Sequence, residues 1–263
     1  MYKLNELYAL LNEIAPIELS EKLVQSGEYD NSGIIIKCSD SANKVLFSLD
    51  LSAEAVRVAK RNSCDTIVTH HPAIYRPIRS LSIDGEEAAV LYAAESGLNV
   101  ISMHLNLDVA SDGIDTCLCK AAGAEKYKIL QHVTPTNGYG REFSVKGLKL
   151  KDLKKRISRN LNTNKIVCYG KPSSEVKTAA SFCGGGSSNA LTCVNEKLTE
   201  ADVIITSDMP HHVIKALVER DKKIILIPHY AAEEYGFNKF YQTAKDRSGG
   251  KAEFLYFADR RFR

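Results

Sequence analysis

The run Thr66-Ile67-Val68-Thr69 ends on two adjacent histidines, His70 and His71, and Pro72 follows at once. A short β-branched run of this kind reads as a buried strand. The histidines therefore stand at a strand's C-terminal end, where open α/β sheets place their ligands. Consecutive strand residues point to opposite faces. Two neighbouring imidazoles are then expected to serve two different centres rather than to chelate one ion, which points towards a paired metal site.

Strand and helix alternate around this feature. Residues 45–49 form a predicted strand ending at Asp50, and Ser52 is a good N-cap for a helix over 53–61. After 66–69 comes a looser stretch with Pro77, then a helix from about Glu86 to Glu95, stopped by Gly97. Residues 99–103 form a strand ending at His104. The second half repeats the order. A strand over 178–183 leads into Gly184-Gly185-Gly186-Ser187-Ser188 and a helix to about Lys197. A strand over 202–206 ends near Asp208, and a helix carries 211–219. A strand over 223–227 ends at Pro228-His229, and a helix runs on through Glu233 and Phe240.

The fold class expected is α/β, with two pseudo-repeat αβ lobes built on mostly parallel sheets. The first lobe is placed at 1–131 and the second at 132–263, in one compact unit of a size that 263 residues can fill. The second lobe opens with a short connection over 132–178. Pro135, Asn137, Gly138 and Gly140 mark an exposed turn region there, before a strand over 142–146, a helix over 151–161 and a strand over 166–169.

Composition narrows the function classes. The net charge is only +3 and the 35 basic residues are spread along the chain. The densest basic stretch, Lys149 to Arg156, carries Leu150 and Leu153 at helical spacing and reads as a solvated helix face, so a nucleic-acid partner is not expected. Leu4, Leu7, Leu10, Leu11 and Ile14 make an amphipathic stripe at the N-terminus rather than a signal peptide. No segment approaches the ~20 apolar residues of a membrane span. The seven cysteines lack disulfide or zinc-finger spacing and read as reduced thiols, with Cys64 and Cys183 as small core residues. A cytoplasmic location is expected.

Every polar cluster of note follows a predicted strand. His70 and His71 end one; His104 ends another, with Asp108 four residues on; His229 ends a third, with Glu233 at i+4. Residues four apart converge if the turn is helical. Imidazole together with carboxylate suits Zn²⁺, Fe²⁺, Mn²⁺ or Co²⁺. His211-His212 lies on a helix and is given a supporting or substrate-facing place. The glycines at 184–186 form either an anion cradle ahead of a helix N-terminus or a tight packing turn. Asp30-Asn31-Ser32-Gly33 is either a turn or a loop facing the site.

Taken in order, six segments resemble the Nif-three-like family of dinuclear-metal-centre hexameric proteins, many of whose members carry the name GTP cyclohydrolase 1 type 2 homologue. They are Asp30-Asn31-Ser32-Gly33, His70-His71-Pro72, His104-Leu105-Asn106-Leu107-Asp108, Cys183-Gly184-Gly185-Gly186-Ser187-Ser188, Ser207-Asp208 with His211-His212, and His229-Tyr230-Ala231-Ala232-Glu233. The resemblance implies interlocked lobes with a metal site in the cleft between them, two divalent ions per subunit (Zn, Fe, Mn or Co), and a toroidal homohexamer. Its implied metal ligands are His70, His71, Asp108, His229 and Glu233, with Glu233 the bridge and His104 an extra ligand or a supporting group. This chain has Pro228, Ala232 and Ser207 where the family usually has Gly, Thr and Gly.

The expected function is a metal-dependent hydrolase of a nucleotide or another phosphate-bearing small molecule. Glu233, His104 and His211 are its candidate catalytic groups, the histidines as proton shuttles. The alternative from another class is a non-enzymatic metal-binding hexameric scaffold or regulatory interaction protein.

Overall fold

The computed structural model describes residues 2–85 and 87–262. In chain order its elements are α1 (Leu4–Ile14), α2 (Ile17–Gln25), β1 (Gly33–Ile36), β2 (Lys44–Ser48), α3 (Ala53–Arg61), β3 (Thr66–Thr69), α4 (Ala88–Glu95), β4 (Asn99–Ser102), α5 (Leu105–Val109) and α6 (Ile114–Ala122). There follow β5 (Lys128–His132), β6 (Gly138–Lys149), α7 (Leu150–Asn160), β7 (Val167–Tyr169), β8 (Glu175–Ser181), α8 (Ser187–Asn195), β9 (Val203–Thr206), α9 (His211–Val218), β10 (Lys223–Leu226), α10 (His229–Arg247) and β11 (Glu253–Phe257). The helix expected from Glu86 is described from Ala88; Glu86 itself lies outside the described residues. No helix among the described residues is long and apolar enough to cross a membrane.

The chain forms two compact units. One comprises the chain up to Ala110 together with Phe237–Arg261, and the other comprises Ser111–Gly236 with the residues from Phe262.

The first unit holds a five-stranded sheet of order β1-β4-β3-β2-β11. Its strands run parallel except β1, which pairs antiparallel with β4. All four residues of β3 are buried, as a β-branched strand covered on both faces should be. Leu46, Ile67 and Val100 meet Val56, Ala59 and Ala93 of α3 and α4 in one core layer. Ser52 caps α3 by accepting the Ala55 N–H at 3.1 Å. On the opposite face, Phe47 contacts the rings of Phe237, Phe240, Tyr241 and Phe254 at 5.4–6.0 Å between centroids. Truncating an enclosed aromatic of this kind costs about 3–5 kcal/mol.

The registers level the strand ends. Ser48, Thr69 and Ser102 stand side by side across β2, β3 and β4, with Gly33 opposite Ser102. Asp50, His70, His71 and His104 thus leave the sheet at one edge, and Asp30 enters there.

The second unit holds a six-stranded sheet of order β5-β6-β8-β9-β10-β7. Here the expectation of mostly parallel strands fails. Only β8-β9-β10 run parallel; β5–β6, β6–β8 and β7–β10 are antiparallel. The reason is local. β5 and β6 are joined by a short turn in which Val133 and Thr134 donate to the Asn137 carbonyl, and so short a connection permits only an antiparallel pair. The connection expected over 132–178 therefore supplies strands to this sheet. Gly138 and Gly140, read as part of an exposed turn, are buried in β6; a Cβ at Gly138 would overlap the Gln131 carbonyl. The β-α-β-α-β order is present in both units, as β2-α3-β3-α4-β4 and β8-α8-β9-α9-β10.

The basic stretch is the outer face of α7, whose Leu150, Leu153 and Ile157 are buried. All seven cysteines are free. Burial pushes the thiols of Cys64 and Cys193 up to about 11 and that of Cys119 to about 12, so they behave as core groups rather than as thiolate ligands.

Asp202 ties the start of β9 to β8 by accepting the Lys177 and Thr178 N–H groups at 2.7 and 3.0 Å. Partial burial pushes its carboxyl up, but these backbone bonds outweigh that and hold it below its ordinary 3.8. Its ionised form therefore stabilises the fold above that ordinary value, and this contribution is lost as the pH falls through the lowered one. Asp202→Asn should lower the urea midpoint at neutral pH. It should also shrink the drop in midpoint between about pH 5 and pH 3, as denaturation curves at both pH values would register.

Candidate metal centre

In the first unit, His70 is fully buried just past β3. Its Nδ1 lies 2.8 Å from the Met103 carbonyl oxygen. A carbonyl only accepts, so Nδ1 carries a proton, and in the neutral ring Nε2 is the nitrogen with the lone pair. Nε2 faces Asp108 Oδ1 at 3.5 Å. With the ring neutral these are two acceptors aimed at each other, a pair that a cation between them would satisfy. Asp108 reaches the spot because α5 begins directly after His104, one turn before it.

The neighbouring histidines are held in the same manner. His71 Nδ1 donates to Asp50 Oδ1 at 2.6 Å, and His104 Nδ1 donates to Asp30 Oδ1 at 2.7 Å. The His70 ring lies 4.9 Å from that of His71 and 5.2 Å from that of His104. Ligand atoms of His70, His104 and Asp108 all fall within 4.8 Å of one another. Strict strand alternation does not govern His70 and His71. Their N–H groups both go to the Leu49 carbonyl, at 3.1 Å each, so the ladder pattern has ended and both rings turn to the same region.

The Asp30-Asn31-Ser32 loop faces this group. Asp30 accepts from His104, from the Ser20 hydroxyl and from the Ser32 hydroxyl at 2.7 Å, while Ser32 Oγ accepts the His104 N–H at 3.0 Å. Burial would raise the Asp30 carboxyl, but these hydrogen bonds and the neighbouring imidazole outweigh it and bring it to about 2. It is a permanent acceptor.

The second unit repeats the device. His229 opens α10; its Nδ1 donates to Asp208 Oδ2 at 2.6 Å, and its Nε2 is 2.9 Å from Glu233 Oε2, one turn on. Glu233 is 2% exposed. The registers of β8, β9 and β10 bring Cys183, Asp208 and His229 off the sheet at a common end.

Gly184 makes room for Glu233. A Cβ there would sit 2.5 Å from Glu233 Oε1, and the residue adopts φ +55°. Of the two readings left open for the glycine loop, these contacts favour the packing turn. The loop is anchored from below by a buried carboxylate. Asp115 accepts the Cys183 N–H at 3.1 Å, the Gly140 N–H at 2.7 Å and the fully buried Arg141 at 3.1 Å.

Among the described residues, His211 and His212 join neither group; both are exposed on α9. Sequence patterns did not single out Asp30, Asp50 and Asp208 as partners of histidines, nor the Asp115–Arg141 pair. For the first three a signal existed, since each flanks a strand end that the register levels with a histidine. For the buried pair none did.

A family model for Duf34/NIF3 (NGG1p interacting factor 3) matches residues 2–259. The chain belongs to the DUF34/NIF3 family. It is 25% identical over 260 residues to a Clostridium perfringens protein named GTP cyclohydrolase 1 type 2 homolog, covering 96% of this chain and 95% of that one. It is 26% identical to the NIF3 homolog of Schizosaccharomyces pombe, covering 85% of this chain and 83% of that one. A Staphylococcus aureus hypothetical protein of known structure superposes with TM-score 0.85 at 22% identity, covering 98% and 97% of the two chains. That match concerns the fold. In this DUF34/NIF3 chain the buried histidine and carboxylate groups could hold a metal ion.

Gly184→Ala should push Glu233 away from His229 and strain the backbone, since an L side chain is disfavoured at that φ. The expected outcome is lost metal uptake with far-UV circular dichroism unchanged. Wild-type uptake in the variant would show that the close approach has no role.

Proposed function

We propose that this protein is a metal-dependent hydrolase whose two divalent ions are held by His70, His71, Asp108, His229 and Glu233. One observation carries the proposal. Four histidines each commit Nδ1 to an oxygen acceptor, and two of them aim Nε2 at a carboxylate oxygen, at 3.5 Å for His70 and 2.9 Å for His229. Metal-ligating histidines are held this way, their second nitrogen fixed by a carbonyl or carboxylate. The donor set, imidazole and carboxylate without thiolate, fits Zn²⁺, Fe²⁺, Mn²⁺ or Co²⁺. When bound, such ions supply Lewis acidity and acidify water at neutral pH.

The chain's own groups then have separate tasks. Glu233 would be the carboxylate that holds the ions together with His229, and Gly184 lets it lie close. His104 is the proton shuttle, because Asp30 orients its ring and stabilises the charge it takes up, leaving Nε2 to accept and deliver the proton. His211, exposed on α9, is not needed for this scheme. The substrate class proposed is a phosphate-bearing small molecule, in keeping with the name of the Clostridium perfringens relative. The toroidal homohexamer belongs to the same proposal and rests on family membership alone.

Elemental analysis of untagged protein should find about two transition-metal ions per chain, falling sharply in His229→Ala. Wild type that holds no metal after reconstitution would remove the basis for the hydrolase. Against a panel of nucleotides and phosphoesters with added Mn²⁺, Zn²⁺ or Fe²⁺, Glu233→Gln should abolish turnover and weaken metal binding. Full activity in that variant would sink the scheme.

A further inference from the structure

The segment following His71 lines a half-open pocket of about 510 Å³ whose lining does not include the metal ligands. Its lining includes Leu51, Pro72, Tyr75, Arg76, Arg79 and Glu87. The volume is that of a small-molecule site. Its position follows from the chain. Leu51 is the residue after Asp50, and Pro72 is the residue after His71, so one wall is one Cα step, about 3.8 Å, from each member of the His71–Asp50 pair.

The charge of the lining is the second observation. Arg76 and Arg79 are both exposed, and among the described residues neither takes part in an ion pair. Among the described residues the lining sets one carboxylate against them, Glu87. Some other surface cations are matched: Arg57 and Arg61 by Glu54, Arg261 by Asp259 and Lys120 by Asp112. Two guanidinium forks three residues apart, bracketing Pro77, are suited to the oxygens of a phosphate, which Arg binds in bidentate fashion.

The third observation is the wall itself. Tyr75 is 45% exposed, its ring in T-shaped contact with Tyr29 at 5.2 Å and with His104 at 6.1 Å. Asn31 donates to the Ile74 carbonyl at 2.6 Å and ties this wall to the loop that holds His104 through Asp30. An exposed aromatic ring in the same lining as two cations suits a planar group that carries an anion.

We infer that this cavity is the phosphate subsite of the metal centre: Arg76 and Arg79 hold the phosphate of a nucleotide-like substrate, and its planar part lies against Tyr75. The inference rests on the hydrolase reading for its role in turnover, but the binding it asserts belongs to the protein without metal. The test therefore uses full-length protein stripped with a chelator, so that no ion can hold the phosphate, with adenosine monophosphate and inorganic phosphate as calorimetric probes. Wild type should bind adenosine monophosphate saturably. Arg76→Gln with Arg79→Gln should weaken that binding at least about tenfold, while Arg76→Lys with Arg79→Lys keeps part of it, because the charge persists and the fork is lost. Tyr75→Ala should weaken adenosine monophosphate but not inorganic phosphate. Absence of saturable binding in wild type, or equal binding in the double glutamine variant, overturns the subsite. Metal content of the same proteins is read separately. Wild type without metal sinks the hydrolase reading, whereas loss of phosphate binding at full metal content in the double glutamine variant separates the subsite from the metal ligands.

Discussion

An imidazole becomes a directional ligand only when its proton has been assigned. Here that assignment is made four times by an oxygen that can only accept: the Met103 carbonyl for His70, and Asp50, Asp30 and Asp208 for His71, His104 and His229. The rest of the site depends on it. With Nδ1 engaged, Nε2 has one direction in which to offer its lone pair. The arrangement needs no exotic backbone. It needs strand ends that are level, which parallel register provides between β2, β3 and β4 and again between β8, β9 and β10.

Holding carboxylates near buried imidazoles is unfavourable unless each oxygen is satisfied. Asp30 shows how this is managed, with two hydroxyls and an imidazole converging on one side chain. Asp115 shows it in the other unit, where one buried carboxylate serves the guanidinium of Arg141 and two backbone N–H groups. Removing one partner of a buried pair of this kind typically costs 3–5 kcal/mol, because the other charge is stranded. Its position under Cys183 makes it a support for the glycine loop and, through Gly184, for the place of Glu233. Rigidity at the site is thus built from polar networks beneath it, while the aromatic layer around Phe47 and the aliphatic layer under α8 and α9 hold the sheets.

How much of this was legible in the sequence depends on the range of the interaction. The strand 66–69 and the helix 53–61 are local patterns, a β-branched run and a capped amphipathic stretch, and the structure places both where the patterns do. His70, His104 and Asp108 were legible as strand-end residues, and the structure gathers them. The antiparallel half of the second sheet was not. Strand direction there is fixed by the five-residue connection before β6, and a strand that alternates glycine with large residues reads as a turn until its partner is known. Nor were the aspartates that orient the histidines: Asp30 and His104 are 74 residues apart, and only register brings them together. The behaviour of His70-His71 defeated the period-two rule because two N–H groups share the Leu49 carbonyl where the strand ends.

The same physics decides where an anionic substrate can lie. A glycine loop before a helix is a natural anion cradle when its amide groups face open space. In this chain Gly184 faces the Glu233 carboxylate so closely that a methyl group would not fit. The space in front of that glycine is taken by a side chain of the same chain rather than left open, so the glycine serves Glu233 by letting it approach. In the proposed subsite the positive charge for the phosphate comes instead from Arg76 and Arg79, which line the pocket beside His71 and, among the described residues, take part in no ion pair.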